Sequence, residues 1–265
     1  MSSIFRPIVV LLAFLLAAPP ALAQITDVNA AINKAGRERM LSQRMAKAYF
    51  QLGMQVDVDR SRKVLDASVA LFDRQLVELK NFAPAPEIKD TYLKLEKSWL
   101  AYKDVLLGAV PSPANGAKVL QLSEEVLALA HQGTVQLEKH AGTTAGRLVN
   151  IAGRQRMLSQ RLAKFYQAAA WGVGGANAPA EIDKARKDFV AAHQELSAAP
   201  ANTPPIKDGL ALVNQQWIFF DTALGQKPDK DKSQVTNVAT TSERILEQMN
   251  EVVGLYEKSA RDVEY

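Results

Sequence analysis

Most of the side chains able to do chemistry in this chain lie in two near-identical blocks. Residues 33–50 read NKAGRERMLSQRMAKAYF and residues 150–167 read NIAGRQRMLSQRLAKFYQ, an offset of 117. From Asn33 to Tyr49, 13 of 17 positions are identical in the second block. The shared set is largely polar: Asn33, Arg37, Arg39, Ser42, Gln43, Arg44 and Lys47, with the same types at Asn150, Arg154, Arg156, Ser159, Gln160, Arg161 and Lys164. A helical core tolerates exchanges among apolar residues of similar volume, so packing alone does not demand this set. At about 100° per residue, Ala35, Arg39, Ser42, Gln43 and Ala46 share one small, polar helix face. Arg37, Met40, Leu41, Arg44 and Ala48 occupy the other. A second helix could approach closely around Arg39, and if that helix is the second block, Arg156 faces Arg39 across a pseudo-two-fold axis. Two facing guanidiniums repel unless an anion lies between them, and each presents a planar fork of donors suited to an oxyanion. The blocks therefore predict a site for one small anion.

Other chemistries find no support. His131, His140 and His193 lack metal-ligand spacing and read as surface or packing residues. Ser42 and Ser159 have no nearby histidine to activate them as nucleophiles. No glycine-rich phosphate loop follows a strand. The absence of cysteine rules out disulfides and thiolate metal sites. No metal, no cofactor and no enzymatic activity is expected. A net charge of +4, spread along the chain, suits a small anion better than nucleic acid, which calls for a concentrated basic patch.

The elements that must position the blocks are helices. Apolar residues recur at three to five residues over 27–56, 60–82, 87–108 and 115–141, and again over 143–172, 180–198, 206–224 and 233–261. Pro84-Ala-Pro86, Pro111-Ser-Pro113, Pro200, Pro204-Pro205 and the Gly172–Gly175 run break the pattern. Strand signals are missing. Weaker echoes of the duplication pair Phe72 with Phe189, Glu78-Leu79 with Glu195-Leu196, Trp99 with Trp217, and SEEVL at 123–127 with SERIL at 242–246. The expected fold is all-α, two tandem up-and-down four-helix bundles over 24–141 and 142–265. At their junction, residues 142–146 form either a loop or, preferred here, part of one long helix continuous through both bundles, because isolated glycines cost a helix only about 1 kcal/mol each. Residues 1–23 read as a cleaved signal peptide: one early positive charge, a short apolar run and Ala21-Leu22-Ala23 before the cut. No later apolar run reaches the roughly 18 to 20 residues that span a bilayer. The mature protein is expected to be periplasmic and not membrane-integral.

The AGRxRMLSQR block resembles the signature of the PilJ-type domain, the N-terminal sensor region of type IV pilus methyl-accepting chemotaxis transducers. It is also similar to the first-helix ligand-binding segment of the periplasmic domain of nitrate/nitrite sensor kinases. The resemblance implies a four-helix bundle in which nitrate sits between equivalent arginines of two first helices. Carried over, those arginines match Arg39 and Arg156, the later arginine of the motif matches Arg44 and Arg161, and the glycine matches Gly36 and Gly153. Ser42, Ser159, Gln43 and Gln160 complete the expected ligand-binding set from the same polar face. Here both copies lie in one polypeptide with no kinase or methyl-accepting region. Arg37 and Arg154 stand where the nitrate sensors carry a non-basic residue.

Two functions compete. One is an exported, sensor-like protein that captures a nitrate- or nitrite-like anion and reports it to a membrane sensor or receptor. The other is a helical interaction module that docks on a membrane chemoreceptor or pilus-associated partner, with the arginines structural. In that second case Arg39 and Arg156 would pair with a glutamate such as Glu78, Glu96, Glu195 or Glu243. Met40 and Met157 read as core filling, and Trp99 and Trp217 as packing anchors.

Overall fold

A computed structural model describes residues 24–228 and 232–263; the signal-peptide reading of residues 1–23 lies outside them. Eight helices follow in order: α1 (Val28–Gly53), α2 (Val58–Phe82), α3 (Pro86–Gly108), α4 (Pro113–Ala141), α5 (Thr144–Ala170), α6 (Ala178–Ser197), α7 (Pro204–Leu224) and α8 (Ser233–Val263). No strand occurs among the described residues. The all-α duplicated plan is present, and prolines mark starts as well as breaks. Pro86, Pro113 and Pro204 each stand at the first helical position, where a missing N–H costs nothing and the fixed φ suits the helix.

The continuous helix favoured from the sequence does not form. Gly142 closes α4 with φ 62°, and the Thr143 side chain accepts from the Gly146 N–H to cap α5. A left-handed residue without a Cβ, followed at once by an N-cap, outweighs the small propensity cost on which the rod reading relied.

One apolar core runs through both halves, and the same aromatic stack recurs in each. In the first, Phe72 of α2 stacks on Trp99 of α3 with ring centroids 4.1 Å apart; in the second, Phe189 of α6 stacks on Trp217 of α7 at 4.2 Å. Both tryptophans are the anchors expected, and Trp99 also donates from Nε1 to Asp73 Oδ1 at 2.8 Å. Met40 and Met157 are buried, as expected of core residues.

The halves lie side by side, joined along α1 and α5, the most extensive helix pairing in the molecule. Like meets like along this seam. Gly36 faces Gly153, Lys47 donates to Gln160 Oε1 at 2.7 Å, and Trp171 just past α5 packs against Tyr49 and Phe50 near the end of α1. The two helices therefore run in the same direction, and the seam sits at the centre of the fold.

Candidate functional site

The two blocks meet within one chain. At the crossing the backbones approach so closely that a methyl group on Gly36 would lie 3.6 Å from the Gly153 Cα. The same methyl would lie 3.3 Å from Nη2 of Arg39 and 3.5 Å from Nη2 of Arg156, so both guanidiniums converge on the glycine pair. A Cβ at Gly153 would likewise touch both, at 3.4 Å from Nη2 of Arg156 and 3.5 Å from Nη2 of Arg39.

Both arginines are fully buried, at 0% exposure. Arg39 donates from Nη2 to the Asn150 side-chain oxygen at 2.7 Å and to the Asn150 carbonyl at 3.2 Å. Arg156 donates from Nη2 to the same atoms of Asn33, at 2.8 and 3.0 Å. The asparagine amides pass the contact outward: Asn150 Nδ2 donates to Glu138, and Asn33 Nδ2 to Glu257 at 2.6 Å. Each guanidinium is thus one amide removed from a carboxylate. Among the described residues neither forms an ion pair, and the Nε of each is buried without an acceptor. Burial, followed by repulsion from Arg154, draws Arg39 down to about 10, still charged at neutral pH. Burial, followed by repulsion from Arg37 and Arg39, pushes Arg156 well below its ordinary value. Two buried cations without direct counter-ions are an uncompensated electrostatic cost.

The carboxylates that the structural alternative offered these arginines are engaged elsewhere. Glu78 pairs with Lys34 at 2.5 Å, Glu96 with Lys80, Glu195 with Arg147, and Glu243 with Arg44 and Lys47.

The remaining expected residues form a second layer along the seam. Ser42 and Ser159 donate back to the carbonyls of Arg39 and Arg156, at 2.7 and 2.8 Å. Gln43 and Gln160 donate to the carbonyls of Ser123 and Ser242, at 3.2 and 3.1 Å. Arg44 grips Glu243 through Nε and Nη2, and Arg161 bonds Glu124 at 2.6 Å and Glu181 at 2.8 Å. Lys47 and Lys164, both buried, join the same carboxylates Glu243 and Glu124. The pairs to Glu243 and Glu124 tie each block to the other half's α8 or α4, while Glu181 of α6 holds Arg161 within its own half. They leave Arg44 and Arg161 committed to carboxylates, unlike Arg39 and Arg156. Burial alone would raise Glu124 and Glu243, but the paired lysines and arginines outweigh it and hold both carboxyls down at about 2.

Sequence reasoning did not assign these partners, although a signal was present. The repeated SEEVL and SERIL place Ser123-Glu124 and Ser242-Glu243 at equivalent positions, and those residues receive the block donors. His131, read as surface or packing, is exposed, yet its Nδ1 lies 3.3 Å from Nη1 of Arg39. The equivalent position in the second half holds Asn250, whose Oδ1 accepts from Nη1 of Arg156 at 3.1 Å.

No group of histidine and carboxylate side chains among the described residues could hold a metal ion. No described helix is long and apolar enough to cross a membrane. Residues 21–124 and 142–241 each match the family model described as type IV pili methyl-accepting chemotaxis transducer N-term, PilJ. No curated protein and no solved structure matches the chain.

Proposed function

The chain belongs to the PilJ family, the N-terminal region of type IV pili methyl-accepting chemotaxis transducers, and on that premise we propose that it is an exported sensor-like module binding one small oxyanion at the Arg39–Arg156 crossing. The family is sensory rather than catalytic, and its N-terminal domains are periplasmic in transducers. One observation carries the ligand reading. Two fully buried guanidiniums converge on a glycine pair, each with an unpartnered Nε and neither with an ion pair among the described residues. An anion seated there supplies the missing counter-charge and acceptors. A nitrate-like ion, planar and singly charged, is the kind of small oxyanion that so close a crossing would call for.

Calorimetric titration with nitrate, nitrite, chloride and phosphate tests this, on wild type and on the Arg39→Met/Arg156→Met variant. The variant keeps side-chain volume and removes both charges. Without anion, relief of two buried charges is set against asparagine oxygens left without their donors, so its stability should stay within about 1–3 kcal/mol of wild type. With nitrate at a hundredfold excess over Kd, wild type alone should gain about 2.7 kcal/mol in unfolding free energy. Absence of heat from every anion, with parallel melting of the two proteins, would overturn the reading.

A second reading, a helical module docking on a membrane chemoreceptor or pilus-associated partner, draws on apolar side chains left exposed. Leu93, Leu100 and Leu107 recur every seventh residue on α3, and Ile218 and Phe219 stand out on α7, Phe219 at 72% exposure. In that reading the arginine pair serves the seam alone, and the titration comes out silent.

A further inference from the structure

The crossing is buried, but it touches solvent through one side chain on each side, and the two are chemically different. On the first side the exposed His131 of α4 reaches Arg39 with Nδ1. On the second side the exposed Asn250 of α8 reaches Arg156 with Oδ1. The duplication makes these equivalent positions, yet only one can take up a proton. His131 also lines a surface groove of about 260 Å³ between α4, α5 and α6. The charged groups around it come from four helices: Arg39 from α1, Arg154 and Arg161 from α5, Lys184 and Asp188 from α6 across the groove, and Glu124 from α4 itself. Arg154 pairs with Asp188 at 3.1 Å and Arg161 with Glu124 at 2.6 Å, which leaves Arg39 as the unpaired charge that His131 contacts directly.

We propose that His131 is a residue of the anion site, and that it couples anion binding to the uptake of one proton; the inference rests on the anion-binding reading above. The sign follows from the contacts. To accept from Arg39 Nη1, Nδ1 of His131 must be unprotonated, and burial together with Arg39 and Arg154 holds the imidazole below its usual range. A protonated imidazole cannot accept that bond. It becomes a third cation facing the crossing. An anion between the arginines neutralises part of the positive field and raises the affinity of His131 for a proton. By linkage the proton raises the affinity for the anion by the same factor. Anion binding should therefore strengthen as pH falls through the titration of His131. Asn250 adds no such dependence on its side.

The test is nitrate titration calorimetry from pH 7.5 to 5.0 on wild type and on His131→Asn, which copies the second half's own solution. Wild-type affinity should rise about fivefold or more over that range, at the lower end of ordinary coupling between sites. The variant should lose most of that slope, whatever its affinity at pH 7.5. In parallel, the imidazole resonance of His131, assigned by its loss in the variant, should titrate at higher pH with nitrate present than without. Equal pH slopes in the two proteins, or a titration of His131 indifferent to nitrate, would overturn the coupling while leaving the anion site standing. No binding by wild type at any pH would remove both.

Discussion

Nη2 of Arg39 lies 2.7 Å from the side-chain oxygen of Asn150, and the bond joins the two halves of the duplication across their seam. Its counterpart, Arg156 to Asn33, is 2.8 Å long. Through Nη2 each guanidinium is held by the half to which it does not belong. Replacing Asn150 with alanine leaves a buried charged donor short of an acceptor, which should lower unfolding free energy by about 1–3 kcal/mol. Asn33→Ala should cost a similar amount. Urea denaturation of both single variants and the double variant checks this; changes within a few tenths of a kcal/mol would mean that the asparagines do not support the arginines.

Gly36→Ala separates packing from binding. Alanine is favoured over glycine inside a helix by about 1 kcal/mol, which offsets the tight approach of the new methyl group, so the fold should survive with stability changed by about 1 kcal/mol or less. That methyl would stand 3.3 Å from Nη2 of Arg39, which needs to give by only a few tenths of an ångström, and in ordinary contact at 3.5 Å with Nη2 of Arg156, so it takes up space beside both guanidiniums without expelling either. Nitrate-dependent stabilisation should fall sharply while melting without anion barely moves. Equal nitrate shifts in variant and wild type would place the ligand elsewhere.

Glu38 gives the first half a pH dependence that the second lacks. Its carboxyl is fully buried with neither oxygen hydrogen-bonded, and burial raises it well above its usual range. The second block has Gln155 at this position, donating to the Phe189 carbonyl at 3.1 Å. The folded state holds a proton on Glu38 that the unfolded chain releases near pH 4.5, so this residue's contribution is fully present below that pH and is lost as pH rises. Glu38→Gln should remove that loss and raise stability at pH 7 by at least about 1 kcal/mol, the equivalent of roughly one pKa unit. Denaturation midpoints between pH 4.5 and 8 for the two proteins decide the matter; parallel curves would show that Glu38 is not held neutral.

Glu124 and Glu243 act in the opposite direction. Each is held down at about 2, so the folded state keeps both ionised where the unfolded chain begins to take up protons. Their contribution is present above pH 4.5 and fades as pH falls towards 2. Removing one partner of a buried pair costs about 3–5 kcal/mol, and Glu243→Ala, which strands the buried Lys47, should approach the lower end of that range because its carboxylate is partly solvated. Acid denaturation of the variant should also be shallower than that of wild type. A loss under about 1 kcal/mol would assign the pair to the surface class.

The eight helices were legible because each carries an apolar stripe and ends at proline, glycine or a capping residue. The junction at Gly142-Thr143 was misjudged because propensity counts only the cost of glycine and ignores the hydroxyl waiting beside it as a cap. The polar block announced itself by resisting drift between the copies. Its partners outside the block did not, since Ser123 and Glu243 come from segments 80 and 199 residues away from the donors they serve, and only the folded seam brings them together. His131 carries no local mark of its role; its guanidinium partner is 92 residues distant.

The turn at Gly142 has an evolutionary consequence. A protein that pairs two separate copies must give both members the same sequence, and any change near the symmetry axis is made twice or not at all. Once both members follow one another in a single polypeptide, the sides of the axis can be altered independently, and histidine at 131 opposite asparagine at 250 is such an alteration. Pairing also stops depending on concentration, so the centre is complete in a molecule that meets no other.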